Sequence, residues 1–247
     1  MSSLLDFVID GLRVAGVDEA GRGSIIGPLV VAGLSIRESR MATLKEMGVR
    51  DSKTLTPKAR ARLFGKIVNV AETISILKIP PQSIDESVSV KGLNRLEAKT
   101  MAQVVNDLNA DEVYVDCCDT NTDRYKQCIS QYLTCEPVLH SMHHADSLNV
   151  VVSAASIIAK ITRDQELREI RKKHRNIGSG YPADERTMSF IRRWVDRNGC
   201  APEFARKSWK PLKALLAKEG QKTLRYSAQA RVRPARTKVQ HGSYFTQ

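Results

Sequence analysis

The amino-acid sequence predicts an α/β fold, with a sheet flanked by helices and a helical extension at its C-terminal end. Three strand-like apolar segments come first, helical patterns then alternate with two more, and the chain after Gly178 carries no strand signal. With 247 residues, 42% of them hydrophobic, the chain can build a sizeable core. We therefore expect an α/β core over residues 1–175, a helical extension over 176–220 and a basic, flexible tail over 221–247.

Five segments are predicted as strands because they are short apolar runs bounded by turn residues. Gly27-Pro28 separates the first two, and Pro80-Pro81 ends the third. The fourth, EVYVD, ends in an acid. The five predicted strands are residues 12–17, 29–36, 73–79, 112–116 and 138–142.

The helices are predicted from caps and from apolar spacing. Thr56 followed by Pro57 is typical of a helix start and predicts a helix over 57–70. Apolar residues at helical spacing over 91–108 predict a helix that lies on the sheet. Small and apolar residues indicate that a helix over 150–171 is closely packed and buried. Further helices are predicted over 123–132, from a cap at Asp184 to Trp194, and as a shorter helix after Trp209.

The net charge of +12 favours a polyanionic partner, because each phosphate that is neutralised releases condensed counterions. The alternative is a charge imbalance that serves solubility alone. The tail contains no acid and supplies six of the twelve charges, from Lys222, Arg225, Arg231, Arg233, Arg236 and Lys238.

The sequence predicts a cytoplasmic protein with reduced thiols. The N-terminus lacks the basic start and apolar segment of a signal peptide, and the apolar stretches are too short or too interrupted to span a membrane. The odd number of cysteines and the lack of a Cys-x-x-Cys pair argue against a disulfide framework. The five cysteines are Cys117, Cys118, Cys128, Cys135 and Cys200.

Acidic residues occupy equivalent places in the predicted sheet. Asp18 and Glu19 follow the first strand, Asp116 ends the fourth, and Asp146 precedes the long helix. Ligand sites form at the ends of adjacent strands in open α/β sheets, and carboxylates gathered there favour Mg²⁺ or Mn²⁺. Two such ions are usual equipment for attack on a phosphodiester. Alone, each acid would be read as a turn residue or helix cap.

Basic, glycine-rich and aromatic residues could belong to the same site. Gly21 and Gly23 would let backbone amides approach a phosphate or sugar, while Arg22 contributes charge. Lys53 could hold a neighbouring phosphate. Each has an ordinary alternative: a flexible turn for 21–23, a solvated side chain for Lys53 and a surface tyrosine in a Gly-Tyr-Pro turn for Tyr181.

A zinc site is a second interpretation of the region around Asp146, because imidazole and carboxylate both bind zinc. The histidines concerned are His140, His143 and His144, whose spacing matches no familiar zinc motif. Cys117 and Cys118 adjoin Asp116, but adjacent residues of a strand point to opposite faces, so these cysteines are predicted to pack rather than to share a metal.

An ordered series of motifs makes the chain resemble the type 2 ribonucleases H, or ribonuclease HII, of the archaeal or eukaryotic catalytic-subunit kind. The series spans residues 14–210 in the order typical of that family. Its members are GVDEAGRG at 16–23, GPLV at 27–30, DSK at 51–53, YVD at 114–116, HAD at 144–146, SAASIIAK at 153–160, RD at 163–164, GSGYP at 178–182 and RKSW at 206–209.

The resemblance implies a ribonuclease H-like core with a mixed five-stranded sheet, and cleavage of RNA paired with DNA or of single ribonucleotides embedded in duplex DNA. It makes Asp18, Glu19, Asp116 and Asp146 the metal-binding catalytic acids. Gly21, Arg22 and Gly23 then correspond to the loop that reads the ribose 2′-hydroxyl, and Tyr181 to the tyrosine that packs against the next sugar. The sequence departs from the family pattern at Ser24-Ile25, His144 and Leu148.

The tail suggests a partner protein. Archaeal relatives often end in a peptide that docks on the sliding clamp, and residues 238–245 contain the paired aromatics of such a peptide, although Lys238 and His241 replace its usual glutamine and aliphatic residue. The alternative is a basic tail that adds non-specific affinity for nucleic acid. We otherwise expect a monomer.

Two other functions remain open at this stage. A resolvase-like or transposase-like nuclease would keep the fold and cut duplexes made only of DNA. A non-catalytic hybrid-binding module, or a subunit inactive without partners, would bind the same duplexes without cutting them.

Overall fold

A computed structural model of the chain describes residues 11–50 and 55–231, with side chains described to Gln221. Five strands form one mixed sheet in the order β3-β2-β1-β4-β5. β1 pairs antiparallel with β2 and parallel with β4, which places β1 at the centre. The predicted fold class is confirmed. The strands are β1 (Arg13–Ala20), β2 (Leu29–Arg37), β3 (Thr73–Ile79), β4 (Glu112–Asp116) and β5 (Val138–Met142).

The first strand is longer than predicted. Asp18 and Glu19 lie within β1 rather than after it, because β2 continues to pair with them: Asp18 lies opposite Ala32 and Glu19 opposite Val31. Both acids are therefore held by a regular ladder on a central strand. This makes their positions more rigid than those of turn residues.

Nine α-helices surround the sheet in the described part of the chain. Two short ones were not predicted, and a third unpredicted helix begins at Pro81, directly after the proline pair that ends β3. The helices are α1 (Met41–Glu46), α2 (Pro57–Val70), α3 (Pro81–Ser89), α4 (Leu93–Leu108), α5 (Thr122–Ser130), α6 (Ala145–Leu148), α7 (Val150–Lys173), α8 (Glu185–Asn198) and α9 (Lys210–Arg231).

Two hydrophobic cores lie on the two faces of the sheet. α2 and α7 cover one face, where Ile67 and Ile158 are fully buried, and α4 and α5 cover the other. α7 approaches β1 so closely that a Cβ on Gly16 would collide with the backbone of Val151. This contact explains the small residues of α7 and places its polar residues beside Asp18.

The C-terminal extension packs on the β1–β2 loop. Ile25 and Ile26 of that loop join a third core together with residues of α8 and α9, including Ile191 and Leu212. Gly180 accepts backbone hydrogen bonds from both isoleucines, over 2.8 and 3.1 Å. The extension is therefore fastened to the loop that follows the two acids of β1.

The last helix corrects one prediction. The sequence predicts a shorter helix after Trp209, but α9 runs from Lys210 to Arg231. Lys, Arg, Ala, Gln and Leu dominate residues 221–231, and their high helix propensity favours the continuation of the helix. The tail residues 232–247 lie outside the described residues. No helix of the described chain is both long and apolar enough to cross a membrane.

Candidate active site

The four predicted acids line one cavity of about 500 Å³ at the carboxyl ends of β1 and β4. Asp18 and Glu19 come from β1, Asp116 from β4, and Asp146 from α6, which follows β5 directly. Asp18 and Asp146 are buried. The topology thus brings together residues that are up to 128 positions apart in the sequence.

Three of these acids form a tight group. One oxygen from each of Asp18, Glu19 and Asp116 lies within 4.8 Å of the others. Asp146 lines the same cavity but stands outside this group. Asp116 Oδ1 also accepts a 2.7 Å hydrogen bond from the backbone N–H of Ala145, so the end of β4 fixes the start of the helix that carries Asp146.

Burial and mutual repulsion disfavour the charged forms of these carboxylates. Burial, and after it the negative charge of Asp116, raise the pKa of Asp18 to about 7, although a hydrogen bond from Ser156 and the charge of Lys160 act in the opposite direction. The pKa of Glu19 is raised well above its ordinary value, first by burial and then by the charges of Glu97 and Asp18.

The donor set fits a divalent cation. Glu19 Oε2 is buried without a hydrogen-bond partner among the described residues. An unpartnered buried carboxylate oxygen beside two further carboxylates is costly in a protein interior. Oxygen ligands with net negative charge are the preferred environment of Mg²⁺ and Mn²⁺, and binding such a cation would remove that cost.

α7 supports the acids from one side of the cavity. Lys160 Nζ donates a 2.8 Å hydrogen bond to Ser156 Oγ, and Ser156 in turn bonds the carboxylate of Asp18. One turn earlier, Ser153 Oγ donates to the backbone carbonyl of Asp146 over 2.5 Å. The SAASIIAK segment therefore contributes polar residues at helical spacing to a helix that is otherwise packed against the sheet.

Arg206 holds the 21–23 loop from the C-terminal extension. It is fully buried, and its guanidinium donates to the carbonyls of Gly21 over 2.7 Å, Arg22 over 2.8 Å and Gly27 over 3.2 Å. The ring of Trp209 stacks on the guanidinium at 4.8 Å. Burial lowers the pKa of Arg206 to about 10. Since C=O and N–H point in opposite directions in a trans peptide, the N–H groups of Arg22 and Gly23 are directed away from Arg206.

The side chain of Arg22 is turned toward α4. Its Nε donates to Glu97 Oε2 over 2.8 Å, and its Nη2 donates to Asn94 Oδ1 over 2.6 Å. Glu97 is fully buried on the sheet-facing side of α4. The charge that the sequence assigns to the loop is therefore paired with a carboxylate inside the protein.

Tyr181 stands at the rim of the cavity. Its side chain is 37% exposed, and the guanidinium of Arg163 lies 4.6 Å from the centre of its ring. Arg163 is buried and donates to the carbonyl of Ser179 over 3.3 Å. Arg163 also lies against Gly21, where a Cβ would collide with its side chain. One buried arginine thus supports both Tyr181 and the glycine loop.

The cavity is also lined by basic residues for which the sequence analysis predicts no function. Arg163 and Lys160 belong to the RD and SAASIIAK motifs, so the sequence marks their positions but not what they contact. Arg206 belongs to RKSW and could be placed only by the fold. Lys53 lies outside the described residues. The basic residues that line the cavity are Arg22, Arg60, Lys160, Arg163 and Arg171.

The histidines do not join the acids. His140 Nε2 lies 2.8 Å from Glu112 Oε1, and its ring stacks on Tyr114 at 4.6 Å. Within residues 11–50 and 55–221, the group of three or more potential ligands contains carboxylates alone. His144 adopts a left-handed conformation at the start of α6, and Leu148 is 72% exposed. Cys117 and Cys118 pack in the second core, as expected.

The chain is similar in sequence and in structure to ribonucleases HII. The family model described as Ribonuclease HII matches residues 15–212. A ribonuclease HII of Cenarchaeum symbiosum is 48% identical over 206 residues, which cover 83% of this chain and 99% of that protein. The crystal structure of the ribonuclease H2 from Pyrococcus horikoshii OT3 superposes with a TM-score of 0.80 at 37% identity, covering 85% of this chain and 100% of the other. The PCNA:RNase HII complex from Archaeoglobus fulgidus contains a chain with a TM-score of 0.74 at 34% identity, covering 81% of this chain and 96% of that one.

Proposed function

This chain belongs to the ribonuclease HII family, and we propose that its activity extends from RNA–DNA hybrids to single ribonucleotides embedded in duplex DNA. As a ribonuclease H it is a hydrolytic endonuclease that acts on the RNA strand of RNA–DNA hybrids. At an isolated ribonucleotide it cuts on the 5′ side and leaves a 3′-hydroxyl and a 5′-phosphate. The observation that carries this proposal is the meeting of the acids, the 21–23 loop and Tyr181 at one cavity.

The family is dependent on divalent metal ions, and the buried acidic group suits that dependence. In our proposal Asp18, Glu19, Asp116 and Asp146 are the catalytic acids and hold two Mg²⁺ or Mn²⁺ ions. When bound, such ions activate water and stabilise the departing oxygen. The chain's own residues fix the carboxylates: Ser156 and Lys160 hold Asp18, and the backbone of Ala145 holds Asp116.

The 21–23 loop is proposed to read the sugar. The ribose 2′-hydroxyl, both a donor and an acceptor, is the group that separates RNA from DNA at a given position. Gly21, Arg22 and Gly23 line the cavity beside the acids, and backbone groups can recognise a hydroxyl without regard to the base. Tyr181 packs against the following sugar in this proposal, which would favour an RNA-to-DNA junction. We therefore expect the protein to select its cleavage site by the sugar and not by the base sequence.

The charge distribution supports a nucleic-acid substrate. Arg60, Lys160, Arg163 and Arg171 line the cavity on the side of α2 and α7. We propose that Arg60, Lys160 and Arg171, with Lys53 from outside the described residues, lie along the phosphates of the bound duplex, while the buried Arg163 supports Tyr181 from below. A basic wall on one side of an acidic centre suits a phosphodiester that must approach carboxylates.

A single experiment tests the substrate. Purified protein is incubated with Mg²⁺ or Mn²⁺ and duplex DNA that contains one ribonucleotide, beside an all-DNA duplex and an RNA–DNA hybrid. We expect one cut on the 5′ side of the ribonucleotide, lost with chelator and in an Asp146→Asn variant. If the protein cuts the RNA–DNA hybrid but leaves the duplex with one ribonucleotide intact, the proposed activity on single ribonucleotides is wrong. Cleavage of the all-DNA duplex would instead indicate a resolvase-like nuclease.

We also propose that the tail docks on a sliding clamp. The structure of the PCNA:RNase HII complex from Archaeoglobus fulgidus supports this, and residues 238–245 carry the paired aromatics of such a peptide. These residues lie outside the described chain. We expect purified clamp to bind the full chain and to lose this binding when residues 232–247 are removed.

The location, the oligomeric state and the domain division remain predictions. We propose a cytoplasmic, monomeric protein with a core over residues 1–175, a helical extension over 176–220 and a basic tail over 221–247.

A further inference from the structure

Arg22 belongs to the loop proposed to read the sugar, yet its guanidinium is bound by two residues of α4. Glu97 accepts from Nε and Asn94 accepts from Nη2, over 2.8 and 2.6 Å. Asn94 extends the connection, because its Nδ2 donates to Asp119 Oδ2 over 2.9 Å. The loop is therefore tied through α4 to the segment between β4 and α5.

The position of Glu97 is unusual for an acid. It is fully buried on the face of α4 that also buries Ala98 and Met101, and one of its oxygens has no hydrogen-bond partner among the described residues. Burial raises its pKa, while the charge of Arg22 lowers it. A buried charge is a poor source of stability but a good device for fixing one geometry. The geometry fixed here is that of the loop.

We propose that Glu97 and Asn94 are positioning residues, which hold Arg22 against α4 so that the loop presents its backbone, and not its guanidinium, to the nucleic acid. This inference rests on the proposed role of the loop in sugar recognition. Arg206 anchors the carbonyls of Gly21 and Arg22 from the C-terminal extension, and the Arg22 side chain anchors the loop on α4. A backbone reader needs such anchors, because small displacements of a binding group weaken recognition steeply.

The first test separates positioning from phosphate binding. Arg22→Lys keeps the positive charge, but one ammonium cannot reproduce the divergent Nε and Nη2 bonds to two acceptors. We expect the KM for an RNA–DNA hybrid to rise roughly tenfold with kcat little changed, as for the loss of a charge-assisted hydrogen bond. A wild-type KM in Arg22→Lys would show that charge alone matters and would overturn the proposal.

The second readout uses an all-DNA duplex as a competitive inhibitor. It offers the same phosphates without the 2′-hydroxyl. If Arg22 only positions the loop, Arg22→Met raises the KM for the hybrid and leaves the Ki of the all-DNA duplex within about twofold of wild type. An equal rise in KM and Ki would identify Arg22 as a phosphate ligand and would contradict the assignment.

The third test asks whether Glu97 acts through Arg22. Glu97→Gln keeps the volume of the side chain and removes its charge, and we expect it to raise KM in the same direction as Arg22→Met. The KM of the double variant should be no higher than that of the poorer single variant, because both substitutions break the same interaction between Arg22 and Glu97. Additive losses would mean that Glu97 acts elsewhere, for instance through the charge it imposes on Glu19, and would overturn the assignment.

Two further variants keep the test interpretable. Asp107→Asn makes the matched acid-to-amide change on α4, at an exposed residue that accepts from Ser75, and should leave KM and Ki at wild-type values. Asn94→Ala probes the second anchor near the start of α4, where a failure to fold is not expected, and should raise KM alone. A wild-type KM in Asn94→Ala would remove Asn94 from the proposal. Because every assay uses the hybrid, failure on isolated ribonucleotides would reject the proposed function without affecting this inference.

Discussion

Arg206 Nη2 donates a hydrogen bond to the carbonyl oxygen of Gly21 over 2.7 Å, although 185 residues separate the two in the sequence. This bond joins the C-terminal extension to the loop that lines the acidic cavity. Arg206 is fully buried, and the three carbonyls that it binds all belong to the loop between β1 and β2. The extension therefore holds one wall of the acidic cavity in place.

Replacing Arg206 should disturb the loop more than the global fold. Arg206→Lys keeps the charge but replaces the three-nitrogen fork of the guanidinium by a single nitrogen, which cannot reach the Gly21, Arg22 and Gly27 carbonyls with the same geometry, so their hydrogen bonds should weaken. We expect a loss of about 1–3 kcal/mol in the free energy of unfolding and a rise in KM for the hybrid. Urea unfolding and steady-state kinetics measure these, with Arg197→Lys, an exposed arginine of α8, as the control. A wild-type KM in Arg206→Lys would contradict the anchoring role.

Substitution of Gly21 should be damaging for two independent reasons. Its backbone φ of +89° is one that residues with a Cβ rarely adopt, and a Cβ at this position would collide with the side chain of Arg163. We expect Gly21→Ala to destabilise the protein by about 1–3 kcal/mol and to raise KM at least tenfold. Differential scanning calorimetry and cleavage kinetics provide the measurements.

Gly65→Ala is the matched control for that prediction. Gly65 lies inside α2 with open space around it, so alanine should increase the free energy of unfolding by about 0.5–1 kcal/mol. If Gly21→Ala behaved like Gly65→Ala, the conformational argument for the loop would fail.

The sequence predicts most of the sheet because strand signals here are local. The bounds of β3, β4 and β5 agree with the prediction, since each is a short β-rich run flanked by turn residues. The sequence does not predict the helix that begins at Pro81, because a proline pair indicates the end of a strand as well as the start of a helix. It does not predict the end of β1, because the continuation of this strand depends on pairing with β2.

The meeting of the four acids at one cavity could be predicted because Asp18, Glu19 and Asp116 lie at or near the ends of predicted strands and Asp146 follows the fifth, a feature visible in the sequence. Glu97 could not be predicted, since its spacing to Met101 places it on an apolar helix face that ordinarily excludes charge. Arg206 and Arg163 act on the loop through contacts between distant segments, which no local pattern reports. What the sequence leaves out is the set of residues that hold the loop.

The raised pKa of Asp18 predicts how the metal-free protein responds to pH. An unfolded aspartate titrates near pH 4, whereas Asp18 in the folded protein titrates at about 7. Between these values the folded state binds more protons than the unfolded state, so stability falls as pH rises. The penalty is absent below about pH 4 and fully present above pH 7, where it reaches at most about 4 kcal/mol.

Asp18→Asn should remove the part of this pH dependence that Asp18 contributes, while the raised pKa of Glu19 leaves a remainder. In chelator, the free energy of unfolding of the variant should exceed that of the wild type by an amount that grows from pH 5 to pH 8. Addition of Mg²⁺ at pH 8 should stabilise the wild type and have less effect on the variant, because the ion binds the folded state through the carboxylate. Urea titrations at four pH values, with Asp107→Asn as the control, measure this. A pH-independent difference would contradict the assigned pKa.

Tyr181 should act through its ring and not through its hydroxyl. Arg163 lies 4.6 Å from the ring centre on one side, and the side chain is 37% exposed, which leaves ring surface for a substrate. We expect Tyr181→Ala to raise the KM for a duplex with one ribonucleotide about tenfold, by analogy with aromatic stacking of about 1–3 kcal/mol per contact. Tyr181→Phe keeps the ring and its contact with Arg163, so its KM should stay within about twofold of wild type. If Tyr181→Phe were as impaired as Tyr181→Ala, the hydroxyl would be the functional group and the packing role would be wrong.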